Sequence, residues 1–585
     1  MAPSKTIAEP EDYNVGTYIA YRIEELGVRD FFVVPGDTNL TLLDNLLKNP
    51  RLRMVGCCNE LNTGYAADGY ARASKTRTAV VVIPYIVGGL SILNAISGAR
   101  SEQLKIIVIS GCPPTKVLTE DKATHHTPSP TNKGQALHVF QGVTAASVRI
   151  NSAETAAEVV DETILKCVRK SLPVYIEVPH DIAGVPCRRP APLSQNLEVV
   201  RQPNRNSEAL DAIVGAWNLA TSPVLLIGSY VQVSLSRDSI QRLVDALGCP
   251  VLCQPDGRWI SESHPQYEGL FWPGVLNLDG EKVVMNSDLW LGIGISWSDV
   301  HNPALDLNNE KHRLVSMQYG RVDLPDDRII QPVELDELVL ALIDSGISRK
   351  AGSFPRPNSN RPARIHAQIK DSNDALTMTT LFTGIQDILR EHFTLIADTG
   401  DTWFAASHIK LPDGVDFYIQ LSYASIGWGV PATLGAQVAR SKGRVVLMVG
   451  DGGFQMTAQE ISTMIRMKLN PIIFLFNNLG YKTETTVHEG PYNYIANWDY
   501  TKLATSFLHE PHARPHNLFA GDDVDKESDM PVWAEKIRTQ ADLLRALQRI
   551  ERENDKLAFL ECCVRPDDIT PELQELGKKV SKGLA

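Results

Sequence analysis

Short uncharged runs rich in β-branched residues recur between longer stretches of helical periodicity along almost the whole chain. The clearest are Phe31 to Val34, Val80 to Ile83, Ile106 to Ser110, Val174 to Val178, Val224 to Ile227, Leu289 to Ile293, Val445 to Val449 and Ile472 to Phe476. Strands buried on both faces read this way, and their alternation with helices implies parallel sheets covered by helices on each side. A hydrophobic fraction of 43% with mixed charge excludes a disordered chain. Two Pro-rich or polar stretches without periodicity, 187–206 and 349–364, interrupt the pattern and read as linkers. The predicted fold is α/β, with three doubly wound parallel-sheet domains at 10–187, 207–345 and 374–565 and a helical tail at 566–585. The chain's 585 residues suit three such domains.

Composition narrows the partners. With 57 basic and 69 acidic residues the net charge is −12, which disfavours general affinity for nucleic acid or anionic membrane. Thr78 to Ala99 has no charge and is long enough to span a bilayer, but Pro84 and Gly88-Gly89 divide it into a buried strand followed by a buried helix. The nine cysteines form no C-x-x-C pair and are expected to be free thiols in a reducing compartment. Residues 1–14 lack an apolar signal core, and Ser581 to Ala585 does not end in a peroxisomal tripeptide. The cytoplasm is the expected location.

The motif with the most chemical content is Gly450-Asp451-Gly452, at the end of the strand Arg444 to Val449. A helix is predicted over Met456 to Leu469, and Pro471 introduces a second strand that ends at Asn477-Asn478. In one βαβ unit both polar clusters fall at the C-terminal edge of neighbouring parallel strands, where such sheets bind ligands. Glycines let backbone N–H groups approach an anion, and the start of the following helix favours negative charge. Asp451 and Asn478, 27 positions apart, can each offer a side-chain oxygen, and the carbonyl of Gly480 a third. Three protein oxygens leave a Mg²⁺ octahedron open to phosphate and water. The unit reads as a diphosphate–Mg²⁺ site. A fainter signal links the first and third domains: both carry a strand ending in Gly-Asp (Pro35-Gly36-Asp37, Thr399-Gly400-Asp401) and a small-residue helix followed by a strand.

This spacing is the signature of thiamine-diphosphate enzymes, and further segments carry the likeness along the chain. They are Val34-Pro35-Gly36-Asp37, Asn59-Glu60-Leu61-Asn62, Ala66-Ala67-Asp68-Gly69-Tyr70-Ala71-Arg72, His125-His126-Thr127, Ser425-Ile426-Gly427 and Gln459 to Arg466. In this order, from about residue 12 to 565, the chain resembles the pyruvate-decarboxylase-like 2-oxo-acid decarboxylases, fungal branch. The resemblance implies pyrimidine-binding, central and diphosphate-binding domains, with thiamine diphosphate and Mg²⁺ as cofactors. It implies catalytic roles for Glu60, Asp37, His125, His126 and Glu484. Glu60 would hydrogen-bond the aminopyrimidine, Asp37 and the histidine pair would manage protons, and Glu484 would assist near the substrate carboxylate. It implies cofactor binding by Glu60, Thr399, Asp401, Ala424, Ser425, Ile426, Asp451, Gly452, Gly453, Asn478, Gly480, Tyr481, Lys482 and Thr483. The metal ligands are Asp451, Asn478 and Gly480. Ile426 matches the wedge under the folded cofactor. It also implies a homo-oligomer, dimer at minimum and tetramer by expectation, with active sites at the chain interface.

Departures from the family pattern cluster where substrate would sit. Pro84-Tyr85 replaces a Thr-aromatic pair, Gly89 replaces an acid, Thr483 replaces an apolar residue before Glu484, and Pro128 to Lys133 differs from the usual loop. Ser229-Tyr230 stands where some members carry a regulatory cysteine, so activation through that thiol is not expected. The expected reaction is non-oxidative decarboxylation of a small 2-oxo acid to an aldehyde and CO₂. Carboligation, with transfer of the acyl unit to an aldehyde or ketone, is the alternative that the altered pocket leaves open. A cofactor-binding scaffold without catalysis is disfavoured by the joint presence of Glu60, the histidine pair and Glu484.

Overall fold

A computed structural model describes residues 12–129, 132–193, 204–276, 279–350, 367–440, 442–508 and 530–584. The chain divides into two compact units, Met1–Arg201 and Gln202–Ala585. Parts of both predicted linkers, 194–203 and 351–364, lie outside the described residues.

The first unit holds a six-stranded parallel sheet. Across it the order is Arg53–Gly56, Asp30–Val33, Thr78–Ile83, Lys105–Cys112, Val174–Pro179 and Ser147–Arg149. Every residue of Thr78–Ile83 is buried, and the helix Val87–Ser101 follows it. The uncharged segment is therefore a strand and a packed helix, and among the described residues no helix is long and apolar enough to cross a membrane. Close packing between Glu60–Ala73 and Val87–Ser101 depends on small residues: a Cβ on Gly64 would lie 2.5 Å from that of Ala95.

The second unit contains two sheets. One runs Asp416–Tyr418, Thr394–Ala397, Val445–Gly450, Ile472–Asn477, Leu557–Cys563 and Val532–Ile537, all parallel. Its order, taken by sequence rank, is the same as in the first unit's sheet, so the faint echo between the two halves is a shared topology. The central sheet departs from expectation. Its strands Tyr267–Leu270, Val251–Cys253, Pro223–Ile227, Leu289–Ile293 and Leu314–Gln318 are parallel, but Gly320–Asp323 and Ile329–Val333 continue it antiparallel. The cause is local: Gly320, at φ +83°, turns the chain straight back into a hairpin with no room for a crossover helix.

The helix predicted at Met456 to Leu469 is two helices, Asp451–Thr457 and Glu460–Arg466. Tighter bonds at the junction, from Ile461 N–H to Ala458 O and from Ser462 N–H to Gln459 O, separate them. The first begins at Asp451 itself, which shortens the distance from strand to helix.

Candidate active site

In the second unit the polar clusters meet at the C-terminal edge of the parallel sheet, where the chain leaves Thr394–Ala397 to one side and enters Val445–Gly450 on the other. Ligands bind at such reversals of strand order. A cavity of about 330 Å³ opens there. Its lining includes Thr399, Asp401, Ile426, Asp451, Gly452, Gly453, Asn478, Gly480, Tyr481, Lys482, Thr483 and Glu484. Ala424 and Ser425 are half-buried next to it without lining it, and Ser425 N–H donates to Gln420 Oε1 at 3.1 Å.

Asp451 is pinned at the strand end: Gly452 N–H donates to its Oδ1 at 2.8 Å and Gly480 N–H to its Oδ2 at 3.0 Å. Burial pushes its carboxyl up to about 6, a bias that a bound cation would reverse. The two asparagines divide their work. Asn477 gives its amide to Glu561 at 2.9 Å and to Asn497 at 3.0 Å, whereas Asn478 Oδ1 is buried with no hydrogen-bond partner. An orphaned oxygen and a carboxylate beside one cavity are hard donors suited to Mg²⁺. Gly480 permits the turn between them, with φ +129° and no space for a Cβ, which would lie 2.5 Å from Asn493 O. Thr399 Oγ1 is also buried without a partner, so the cavity presents an unused hydroxyl as well.

Asp398 is the main residue missed by sequence reading. Fully buried, it accepts from Gly427 and Gly429 N–H, each at 3.0 Å, and holds the Ile426 segment against the sheet. A Cβ on Gly453 would come within 2.3 Å of Asp398 Oδ2, so this glycine lets the two strand ends close. The carboxylate directly after a strand was its only sequence signal. Also missed were the central-domain residues Trp272, Val275, Asp299, Val300 and Pro303, together with Leu576 and Val580 from the helix Pro571–Leu584; all line the cavity.

Asp401 faces the cavity but spends its carboxylate on Thr570, whose hydroxyl and N–H both donate to it. Burial, reinforced by Glu572 and Asp568, pushes it up to about 6. A carboxyl raised in the folded state contributes stability that is complete below its unfolded value and is lost as pH rises through about 6. Relative to Asp401→Asn, the parent protein is expected to gain about 1 kcal/mol between pH 7.5 and pH 5. Urea-unfolding midpoints of the two proteins at both pH values measure this; a difference independent of pH would contradict it.

In the first unit, Asn59 caps the helix Glu60–Ala73 by accepting from Asn62 N–H at 2.8 Å, which sets the half-buried Glu60 at the helix start. Asp37 follows the strand Asp30–Val33 and pairs with His125, Oδ2 to Nε2 2.9 Å, both side chains being about three-fifths exposed at 61% and 60%. His126, at φ +66°, sets its ring edge-on to His125 at 4.5 Å. Donor atoms of the three residues lie within 4.8 Å of one another. Tyr85 buries its ring fully and turns its hydroxyl onto the backbone carbonyl of Lys133.

Family models for the thiamine pyrophosphate enzymes match the chain in three places. The N-terminal TPP binding domain matches residues 13–137, the central domain 210–332 and the C-terminal TPP binding domain 398–526. Curated relatives span nearly its full length. Pyruvate decarboxylase 2 of Arabidopsis thaliana is 35% identical over 98% of this chain and 92% of its own. Pyruvate decarboxylase 1 of Pisum sativum is 35% identical over 99% and 95%. A probable pyruvate decarboxylase of Schizosaccharomyces pombe is 34% identical over 98% and 97%.

Proposed function

The chain belongs to the thiamine-diphosphate-dependent enzymes of the pyruvate decarboxylase type, and from that premise we propose how its residues divide the work. The reaction is decarboxylation of a 2-oxo acid. Thiamine diphosphate, when bound, supplies the carbon nucleophile and the electron sink that lets CO₂ leave. The chain's share is binding, orientation and proton management. Asp451, Asn478 and the Gly480 carbonyl hold Mg²⁺, and Thr399 with the backbone of Gly452 and Gly453 receives the diphosphate. The observation that carries this assignment is the orphaned Asn478 Oδ1 beside Asp451 in one cavity. Glu60 holds the aminopyrimidine, Ile426 supports the folded cofactor, and Asp37, His125, His126 and Glu484 deliver protons around the reacting carbon.

The enzyme works in the cytoplasm as a homo-oligomer, dimer at minimum, in which the Glu60 unit of one protomer serves the diphosphate half of its partner. Exposed apolar side chains beside both sets of residues support an interface: Val87 (47%) and Leu90 (42%) in the first unit, Met456 (50%) and Leu479 (42%) in the second.

Trp272, Val300, Trp403, Phe404, Leu576 and Val580 give the cavity an extended apolar wall, which favours a 2-oxo acid bulkier than pyruvate. The purified protein with thiamine diphosphate and Mg²⁺ is expected to release CO₂ and free aldehyde from a panel of 2-oxo acids. Its kcat/KM for 4-methyl-2-oxopentanoate should exceed that for pyruvate by at least about tenfold, since each buried methylene is worth roughly 1–3 kcal/mol. Acyloin as the main product would favour carboligation, which no observation on the chain now supports. A preference for pyruvate would assign the apolar wall to holding the C-terminal helix.

A further inference from the structure

The segment that carries His125 and His126 is anchored at its start by Thr115, whose N–H and hydroxyl both donate to Asp181. It follows the strand Lys105–Cys112, its short helix Thr115–Thr119 buries no residue, and both members of the His125–Asp37 pair are mostly exposed. One buried side chain ties it together. Lys133 is 6% exposed, and its ammonium donates to Val117 O at 2.6 Å and to Glu120 O. These carbonyls lie before the histidines in the chain, and Lys133 lies after them, so a single residue joins the two ends of the segment.

The backbone of Lys133 is itself anchored to the sheet. Its carbonyl accepts from the Tyr85 hydroxyl and from Arg149 Nη2 at 2.7 Å, and Arg149 Nε donates to the buried Glu177 at 2.6 Å. A buried ammonium is costly unless its protons are satisfied, so the two carbonyls are held where Lys133 needs them.

We propose that Lys133 is a positioning residue for the reaction: it clasps the ends of the His125–His126 segment and so sets the histidine pair against Asp37. This rests on the catalytic reading of that pair. Lys133 acts through the histidines rather than on substrate or cofactor.

Lys133→Met keeps the apolar stem and removes the ammonium. It is expected to lower kcat by roughly 10- to 100-fold, the scale of a misplacement of about 1 Å, while KM and thiamine diphosphate affinity change by less than about threefold. Lys133→Arg should recover part of the loss. The discriminating measurement is the double variant Lys133→Met/His126→Asn. If Lys133 acts through the pair, removing it costs almost nothing further once His126 is gone. Multiplicative losses would overturn the proposal, as would unchanged kcat in Lys133→Met when His125→Asn and His126→Asn are impaired. Full activity in both histidine variants would overturn the catalytic reading and the clasp together. If Lys133→Met does not fold, Tyr85→Phe loosens the same carbonyl from the sheet and should lower kcat in the same direction, again without added effect on His126→Asn.

Discussion

Glu60→Gln is expected to lower turnover by about 10³-fold, within the usual range for removing a general acid or base, while thiamine diphosphate affinity stays within a few-fold of the parent. The substitution preserves shape. Glu60 opens the helix Glu60–Ala73, where the Asn59 cap holds the first turn, and neither cap nor turn uses the Glu60 carboxyl. Its surroundings leave space for a side chain of that length: a Cβ on Gly88 would already lie 3.3 Å from Glu60 Cγ, so the glycine keeps the approach open. An amide can still fill this space and still hydrogen-bond a ring nitrogen. It cannot exchange a proton there, and activation of the cofactor should stop. The test is CO₂ release at saturating substrate beside a direct titration of cofactor binding. Equal losses in both would assign Glu60 to holding the cofactor rather than activating it. Glu60→Asp, which keeps the acid but shortens its reach, should fall between parent and Gln.

The strands were legible because fully buried parallel strands have few residue choices. Val80 to Ile83 and Ile472 to Phe476 read as strands from β-branched and aromatic content alone, and Thr78–Ile83 and Ile472–Asn477 are buried throughout. That polar residues of the second unit would gather around one cavity was legible for a related reason. These residues sit within a few positions of strand ends, so that sequence distance nearly tracks spatial distance. Legibility failed where a contact spans the chain. The bond from the Thr570 hydroxyl to the Asp401 carboxylate, across 169 positions, has no local signal. Val580 reaches the cavity from the C-terminal helix and Trp272 from the central domain, and neither carries a local signal. The antiparallel end of the central sheet was missed because short strands at an edge, such as Ile329–Val333 with only Ile330 and Val333 buried, do not differ in composition from a loop followed by a helix start. Lys133 shows the same limit from the other side. In a polar loop a lysine reads as solvated, and only its three-dimensional surroundings reveal it as buried.

Asp451→Ala is expected to remove tight cofactor binding. Loss of one partner from a buried charge pair costs about 3–5 kcal/mol, or about two to four decades of affinity. Two effects combine at this residue. The first is loss of a carboxylate from the proposed metal site, leaving Asn478 Oδ1 and the Gly480 carbonyl to hold a cation without formal charge. The second is structural, because Asp451 accepts from both Gly452 and Gly480 N–H. Truncation therefore frees the turn that carries Gly480 and strands two buried donors, at about 1–3 kcal/mol for a buried group left unsatisfied. Asp451→Asn separates the two. Its side-chain oxygen can still serve one of the N–H groups, so the turn should be less disturbed, while the charge is gone. The parent's affinity for thiamine diphosphate should rise steeply with Mg²⁺ concentration, and both variants should lose that dependence, Asp451→Ala with the larger fall in stability. If Asp451→Ala binds the cofactor weakly but keeps its full response to Mg²⁺, the cation is held by other groups and Asp451 serves only the turn.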